Sequence, residues 1–466
     1  MAVQRVDQAA LDELRERMTG VVLLPGDADY DEARHLFNAM IDKRPAVIAS
    51  CTGAADVAAA VDFARATAMP VSIRSGGHGV SGSAIAEDGL VIDMTAMKWI
   101  EVDADARIAR VGAGVTWGEL DAATQQHGLA VTGGRVSTTG VAGLVLGSGS
   151  GWLERKHGFT CDNLLAVEAV TSDGRIVRGD DERHQDLLWA LKGGGGNFAA
   201  VTHFELRLHE VGPTVLAGML MHPPVDPAGL VRAFRDFMAS APDEVGGALA
   251  MITAPDEEFV PEPARGQPML GVILSYAGPV EDGERVLAPM REYGPPAMDM
   301  VGPVPYTALQ QIIDPMNPPG HNHYWKAEFI DELTDEAIET ILEHGMNSSS
   351  PMTATLLQPL GGALARVPDD ATPLGRRDAD YAYHALAQWD DDDHDRHVEW
   401  ARDLHAAMAR HSEPGVFLTY SSDMGEERSR AAFGPEKFRR LTAIKDFYDP
   451  IDMFDQGAGI KPSGQA

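Results

Sequence analysis

Three glycine-rich segments, each joined to a strand-like run, constrain this chain more than any other feature. They are RSGGHGVSGS (Arg74 to Ser83), GGRVSTTGVAGLVLGSGSGW (Gly133 to Trp152) and LKGGGGNFAAVT (Leu191 to Thr202). Backbone stripped of side chains lets a ligand approach main-chain N–H groups closely, which suits a bound diphosphate. GSGSGW departs from the dinucleotide fingerprint in its last spacing, and no acidic residue follows about 20 positions on at a strand end, so a Rossmann domain is disfavoured. His78 sits alone among glycines, where an imidazole serves either a tight turn or phosphate contact, or reactive chemistry.

The chain has 466 residues, 44% of them hydrophobic, too many for one compact core and enough for two domains that bury a large cofactor. Acidic residues number 70 against 38 basic, and the net charge of -32 repels phosphate backbones and anionic membranes. Nucleic acid and membrane are therefore not expected partners. No apolar run approaches the ~18 residues that span a bilayer, and the first 40 residues hold no apolar leader segment, so a soluble cytoplasmic protein is expected. Two cysteines, Cys51 and Cys161, are too few for a disulfide framework or a cysteine-rich metal site.

In the N-terminal half, strands and helices alternate. Val57, Ala60, Val61 and Ala64 share one face of a predicted helix over Ala54 to Met69, PVSI and GLVIDM read as strands, and Gly128 is a helix stop. LLAVEAVTSDGRIVR reads as a hairpin turning at Ser172, Asp173 and Gly174. From about Val211 proline punctuation takes over, and strand candidates such as GVILSY, HYWKAEFI, ATLLQPLGG and YAYHALAQW lie among helices without a βαβ rhythm. That texture predicts an antiparallel sheet backed by helices. The acidic run from Asp390 to His397 reads as a solvated helix start rather than a metal site.

The long motifs, in this order and over nearly the whole chain, resemble FAD-linked oxidases of the vanillyl-alcohol-oxidase (PCMH-type) superfamily, in the berberine-bridge-enzyme-like branch. They run from VSIRSGGHGVSG through GGRVSTTGVAGLVLGSGSGWLERKHGFTCDN to FYDPIDMFDQGAGIKP. The resemblance implies an α+β, two-domain FAD-binding fold: residues 1–210 as FAD domain, 211–412 as substrate domain, and 413–466 returning to the FAD domain. It also places His78 where the family bonds covalently to the flavin 8α-methyl carbon. A neutral imidazole is a good nucleophile near pH 7. Val136 stands where many members carry a second, cysteinyl tether, so a single link is implied. Cys161 lies outside that segment and is expected to be a packed small side chain.

By the same resemblance, FAD contacts fall on Arg74, Ser75, Gly76, Gly77, His78, Gly79, Ser83, Val136, Thr138, Thr139, Gly140, Gly143, Leu144, Gly147, Ser148, Gly149, Gly151, Trp152 and Val201. Thr139 matches a position near the flavin N5 edge that governs oxygen access; its hydroxyl either bonds N5 or a bound oxygen species, or is a steric stand-in for valine. With Leu144 and one tether, it is closest to the polyketide-tailoring members, such as the enterocin favorskiase. Tyr420, in FLTY, matches the family's catalytic tyrosine, with Phe417 and Thr419 replacing its usual tyrosine and asparagine companions. Gln358 matches a substrate-facing position and orients a carbonyl or hydroxyl. Ala382 replaces a carboxylate found in some members, and Gly457 and Gly459 replace asparagines, implying a wider pocket.

On the strand HYWKAEFI, alternation sends Tyr324 and Lys326 to one face and Trp325 to the other, where core packing is expected. His321 and His323 have a spacing that puts both on one face, without further metal partners. The expected activity is hydride transfer from a small organic, secondary-metabolite-type substrate to covalent FAD, with reoxidation by O2. Two alternatives stay open: an oxygenating enzyme using a flavin-oxygen adduct, and a non-catalytic flavin or ligand-binding protein. Oligomeric state is not set by the sequence.

Overall fold

The computed structural model describes residues 7–258, 260–415, 418–423, 425–455 and 458–464. Its first sheet runs β1 (Val21–Leu23), β2 (Val47–Ser50), β4 (Leu90–Asp93), β3 (Val71–Arg74), with β2, β4 and β3 parallel. Helix Ala54–Thr67 crosses from β2 to β3 and buries the predicted face, with Val57, Ala60, Val61 and Ala64 at most 1% exposed. Parallel strands need such a crossover, which is why a run rich in alanine lies between two short strands.

The second sheet is antiparallel, β5 (Ile100–Asp103), β6 (Ile108–Gly112), β10 (Ala200–Arg207), β8 (Leu164–Val170), β9 (Ile176–Gly179). β8 and β9 form the predicted hairpin, with Gly174 at φ +82 in the turn. Helix Trp117–Thr124 opens on a capping box between Thr116 and Glu119, and a short 3-10 turn after it ends at Gly128 in the left-handed region. Two short strands, β7 (Leu129–Ala130) and β11 (His209–Glu210), pair beside this sheet.

The third sheet takes all its strands from residues 214–389. Its order is β15 (Met298–Asp299), β12 (Thr214–His222), β14 (Pro268–Tyr276), β13 (Val245–Thr253), β18 (Ala354–Pro359), β19 (Tyr381–Trp389), β17 (Asn322–Ile330), with β16 (Gly302–Pro305) also on β12. All its pairings are antiparallel. Helices Pro227–Ser240, Val280–Arg291, Asp335–Gly345 and His394–Met408 cover one face, packing Phe234, Leu287, Ile341 and Leu404 onto Leu249, Val272 and Tyr383. Because side chains alternate along each strand, the other face is free to look toward the glycine segments.

Residues 432–455 and 458–460 return to the core of the first half, where Phe438, Leu441, Ile444 and Phe454 pack with Leu187, Leu191 and Phe198. Lys445 is fully buried there; its Nζ donates to Asn197 O (2.8 Å), Phe454 O (3.1 Å) and Asp449 Oδ2 (2.7 Å). Cys161 is free and buried in the same core, as a small packed side chain. Among the described residues, no helix is long and apolar enough to cross a membrane.

Candidate active site

β3 runs into the first glycine segment, and the second segment meets it edge on. A Cβ on Gly76 would lie 2.4 Å from Gly140 N, and one on Gly140 would lie 2.6 Å from Gly76 N, so neither position admits a side chain. Ser75 Oγ fixes the loop by donating to Ala113 O at 2.6 Å. Between the two segments and the open face of the third sheet lies a cavity of about 680 Å³.

His78 stands at this cavity. Its ring stacks on Phe37 with centroids 3.7 Å apart, and Phe37 stacks in turn on His323 at 4.5 Å. The Asn38 side chain holds this arrangement, donating to Val80 O (2.9 Å) and His323 O (3.0 Å) and accepting from His323 N (3.0 Å). His78 Nε2 is buried without a hydrogen-bond partner, and burial lowers the imidazole pKa to about 4. The ring is therefore neutral at pH 7 with an unoccupied nitrogen.

Most residues expected at FAD line the cavity: Ser75, Gly76, Gly77, His78, Gly79, Ser83, Val136, Thr139, Gly140, Gly143, Leu144, Gly147, Trp152 and Val201. Five do not. The Arg74 guanidinium turns away to Ala33 O (2.5 Å), His35 O (3.1 Å) and Asp93 (3.5 Å). Thr138 is exposed, and Ser148 is buried behind the segment. Gly149 and Gly151 serve close packing, since a Cβ there would meet Thr160 Oγ1 at 2.3 Å and Gly133 O at 1.9 Å respectively.

Tyr420 and Gln358 line the cavity together with Arg135 and His384, and Glu154 is hydrogen-bonded to Arg135 and Gln358; the sequence did not single out Arg135, Glu154 or His384. Arg135 Nη2 meets Glu154 Oε1 at 3.0 Å, both side chains under 10% exposed. Glu154 also accepts from Gly151 N (3.0 Å) and Gln358 Nε2 (2.8 Å), and Gln358 Oε1 meets His384 Nε2 at 2.8 Å. Burial alone would lower Arg135, but the Glu154 charge and a hydrogen bond with Tyr420 outweigh it and raise its pKa. Burial raises Glu154 against the pull of Arg135. Burial and the Arg135 charge together lower His384 to about 3, so its imidazole is neutral. The His384 and Tyr420 rings lie 4.5 Å apart. Tyr420 thus faces a fixed cation on one side and a neutral ring on the other.

Several expectations need correction. Trp325 packs against Phe37 and Val80 but also forms cavity wall, with Nε1 buried and unpartnered. Tyr324 and Lys326 do share the opposite face, both reaching Asp423. His321 and His323 part ways: His321 pairs with Asp390, while His323 joins the Phe37 stack. Ala382 packs in the apolar core of the first half, and the polar groups that β19 sends into the cavity are His384 and Gln388. Gly459 opens no pocket, because a Cβ there would lie 2.6 Å from Glu426 N. Phe417 and Gly457 lie outside the described residues.

A cradle of close-packed glycine backbone, an orphaned imidazole nitrogen and a cavity whose lining carries few charges fit an FAD ring system. The comparisons agree. The FAD binding domain model matches residues 45–180. An FAD-linked oxidoreductase of Dictyostelium discoideum is 29% identical over 461 residues, covering 97% of each chain. The structure of 6-hydroxy-D-nicotine oxidase from Arthrobacter nicotinovorans superposes with a TM-score of 0.86 at 28% identity, over 96% of this chain and 98% of that one. The BBE-like 1 protein of Physcomitrella patens shares the fold, with a TM-score of 0.86 at 21% identity over 97% and 99% of the two chains. The chain therefore carries an FAD binding domain and is an FAD-linked oxidoreductase with the fold of the PCMH-type flavin oxidases.

Proposed function

We propose that this protein is an oxidase of a small organic, secondary-metabolite-type molecule, with FAD carried on one covalent bond from His78. When bound, FAD supplies the hydride acceptor and passes the electrons to O2, giving hydrogen peroxide. The chain's own part is to hold the ring and move a proton. Tyr420, acting as its phenolate with the Arg135 guanidinium hydrogen-bonded beside it, takes the proton from the substrate hydroxyl or amine and becomes the neutral phenol. Gln358 is held on both ends, by Glu154 and His384, so it presents a fixed edge to the substrate rather than a mobile one. His78 serves the cofactor.

The observation that supports the tether best is the buried, partnerless Nε2 of a neutral His78 at the edge of the glycine cradle. Val136 lines the cavity without a thiol, which supports one link instead of two. The test is the intact mass of the denatured protein, with peptide mapping. One FAD on the His78 peptide, lost in His78→Ala, is the expected result; flavin released entirely by denaturation would refute the tether. Thr139 on the cavity wall supports a second reading, an oxygenase. Peroxide formed one for one with substrate oxidised marks the oxidase, and a large shortfall marks oxygen transfer.

A further inference from the structure

The cavity is built in two unlike halves. Register sets Ala248, Ala250 and Ile252 of β13 on the same face as Gln358, Leu356 and Ala354 of β18, and that face is the cavity wall. Toward β18, β19 and the Tyr420 turn the wall carries the polar side chains Gln358, His384, Gln388 and Tyr420, interspersed with Ala354, Leu356 and Leu386. Toward β12 and β14 it is Met219, Ala248, Ala250, Ile252 and Ile273, and Thr253 at the outer end is the one polar side chain those three strands contribute among the described residues. From Ala248 to Thr253 the strand runs about 17 Å, so the apolar half is a track and not a spot.

Charge is equally uneven. Among the described lining residues only Arg135 and Asp256 carry formal charge. Asp256 is exposed at the outer end. Arg135 lies at the inner end, where its partner Glu154 already accepts from Arg135, Gly151 and Gln358. A substrate ammonium reaching Tyr420 would meet a guanidinium and find no uncommitted carboxylate. A chain of sugar rings would lay hydroxyls along alanine, isoleucine and methionine, where nothing replaces the water they lose. Alanines at two successive inward positions of β13 leave room for a flat body, and Met316 and Met352 on the facing loops supply adaptable contact.

We propose that the substrate is an uncharged, elongated, largely apolar alcohol that enters head first, its hydroxyl at Tyr420 and its apolar body along β12, β13 and β14. Only the placement of the reacting end rests on the oxidase reading above. Ala248, Ala250 and Ile273 are then specificity residues, since they contact the body and not the reacting atoms.

The test is calorimetric titration of the flavin-loaded protein with three probes: 4-(hydroxymethyl)biphenyl, cellobiose and benzyltrimethylammonium, followed by peroxide measurement with each. The biphenyl alcohol is expected to bind saturably, with the other two giving no heat at a concentration about a hundredfold higher. Ala250→Asp should weaken the alcohol by about tenfold or more, because it places a carboxylate on the track. Ile273→Asn gives a second variant that removes apolar contact without adding charge, and should weaken it in the same direction. Both variants are checked for flavin content before titration. Cellobiose or the ammonium binding as well as the alcohol overturns the proposal, as does unaltered alcohol binding in both variants. Alcohol binding without peroxide would leave this inference standing and remove the oxidase reading; cellobiose turnover with peroxide would do the reverse.

Discussion

Replacing Arg135 and Glu154 singly and together separates what their ion pair does for the fold from what it does for Tyr420. Both side chains are nearly inaccessible, at 7% and 4% exposure, so removing one leaves the other charged in a low-dielectric site. Breaking a buried pair in that way costs about 3–5 kcal/mol. At roughly 2–4 °C per kcal/mol for a domain of this scale, Arg135→Met and Glu154→Gln should each lower the melting temperature by about 6–20 °C. The double variant Arg135→Met with Glu154→Gln carries no buried charge, fills the guanidinium stem with a thioether chain, and keeps an amide oxygen for one of the two donors, Gly151 N or Gln358 Nε2, that use separate oxygens of Glu154. Its loss should shrink to about 1–2 kcal/mol, a coupling of at least about 2 kcal/mol. Turnover should move differently: the double variant still lacks the cation beside Tyr420, so it folds well and yet loses about a hundredfold or more in kcat, the scale of one general base. Thermal melts followed by tryptophan fluorescence, paired with initial rates, read both quantities. Losses that add in the double variant would show that the two charges are not energetically joined. A double variant with wild-type kcat would show that Arg135 does nothing for Tyr420.

Burial raises Asp121 to about 7, so the folded protein keeps a proton that the unfolded chain releases near pH 4, and stability falls as pH rises between those values, by at most ~4 kcal/mol. Asp121→Asn should match wild type in melts at pH 4 and exceed it at pH 8; parallel pH dependence in both would contradict this. Phe37→Ala removes the ring stacked on His78 and should lower the fraction of protein carrying covalent flavin, seen as fluorescence on a denaturing gel, while Phe37→Tyr retains it. Gly76→Ala drives a methyl into Gly140 and should abolish flavin content, measured by absorbance of the purified protein, with equal loading counting against the close approach.

The cofactor half was legible in the sequence because glycine spacing is itself a backbone constraint. Where no Cβ fits, as at Gly76 and Gly140, the residue type reports the geometry directly. Gly149 and Gly151 look the same in sequence yet make room for Thr160 and Gly133, because a glycine marks close approach without naming what approaches. Strand alternation put Trp325 opposite Tyr324 and Lys326 and in core packing, which it makes with Phe37 and Val80, but alternation does not show the cavity that the same ring borders. The Arg135, Glu154, Gln358 and His384 group had no local signature. Arg135 and Glu154 are nineteen positions apart on loop and short helix, and Gln358 meets Glu154 across 204 residues of sequence. Only the sheet register, with His384 opposite Leu356 and Gln358 one pleat on, brings them together.

Lys445 also dictates when the cofactor site is complete. Its ammonium holds Asn197 O at the end of the third glycine segment, yet it lies on a helix within the last thirty residues. A ribosome that has made residues 1–210 has made every glycine segment but not the group that fastens the third one. A chain cut anywhere between the third sheet and Lys445 therefore keeps all three glycine segments and loses the ammonium that fastens the third.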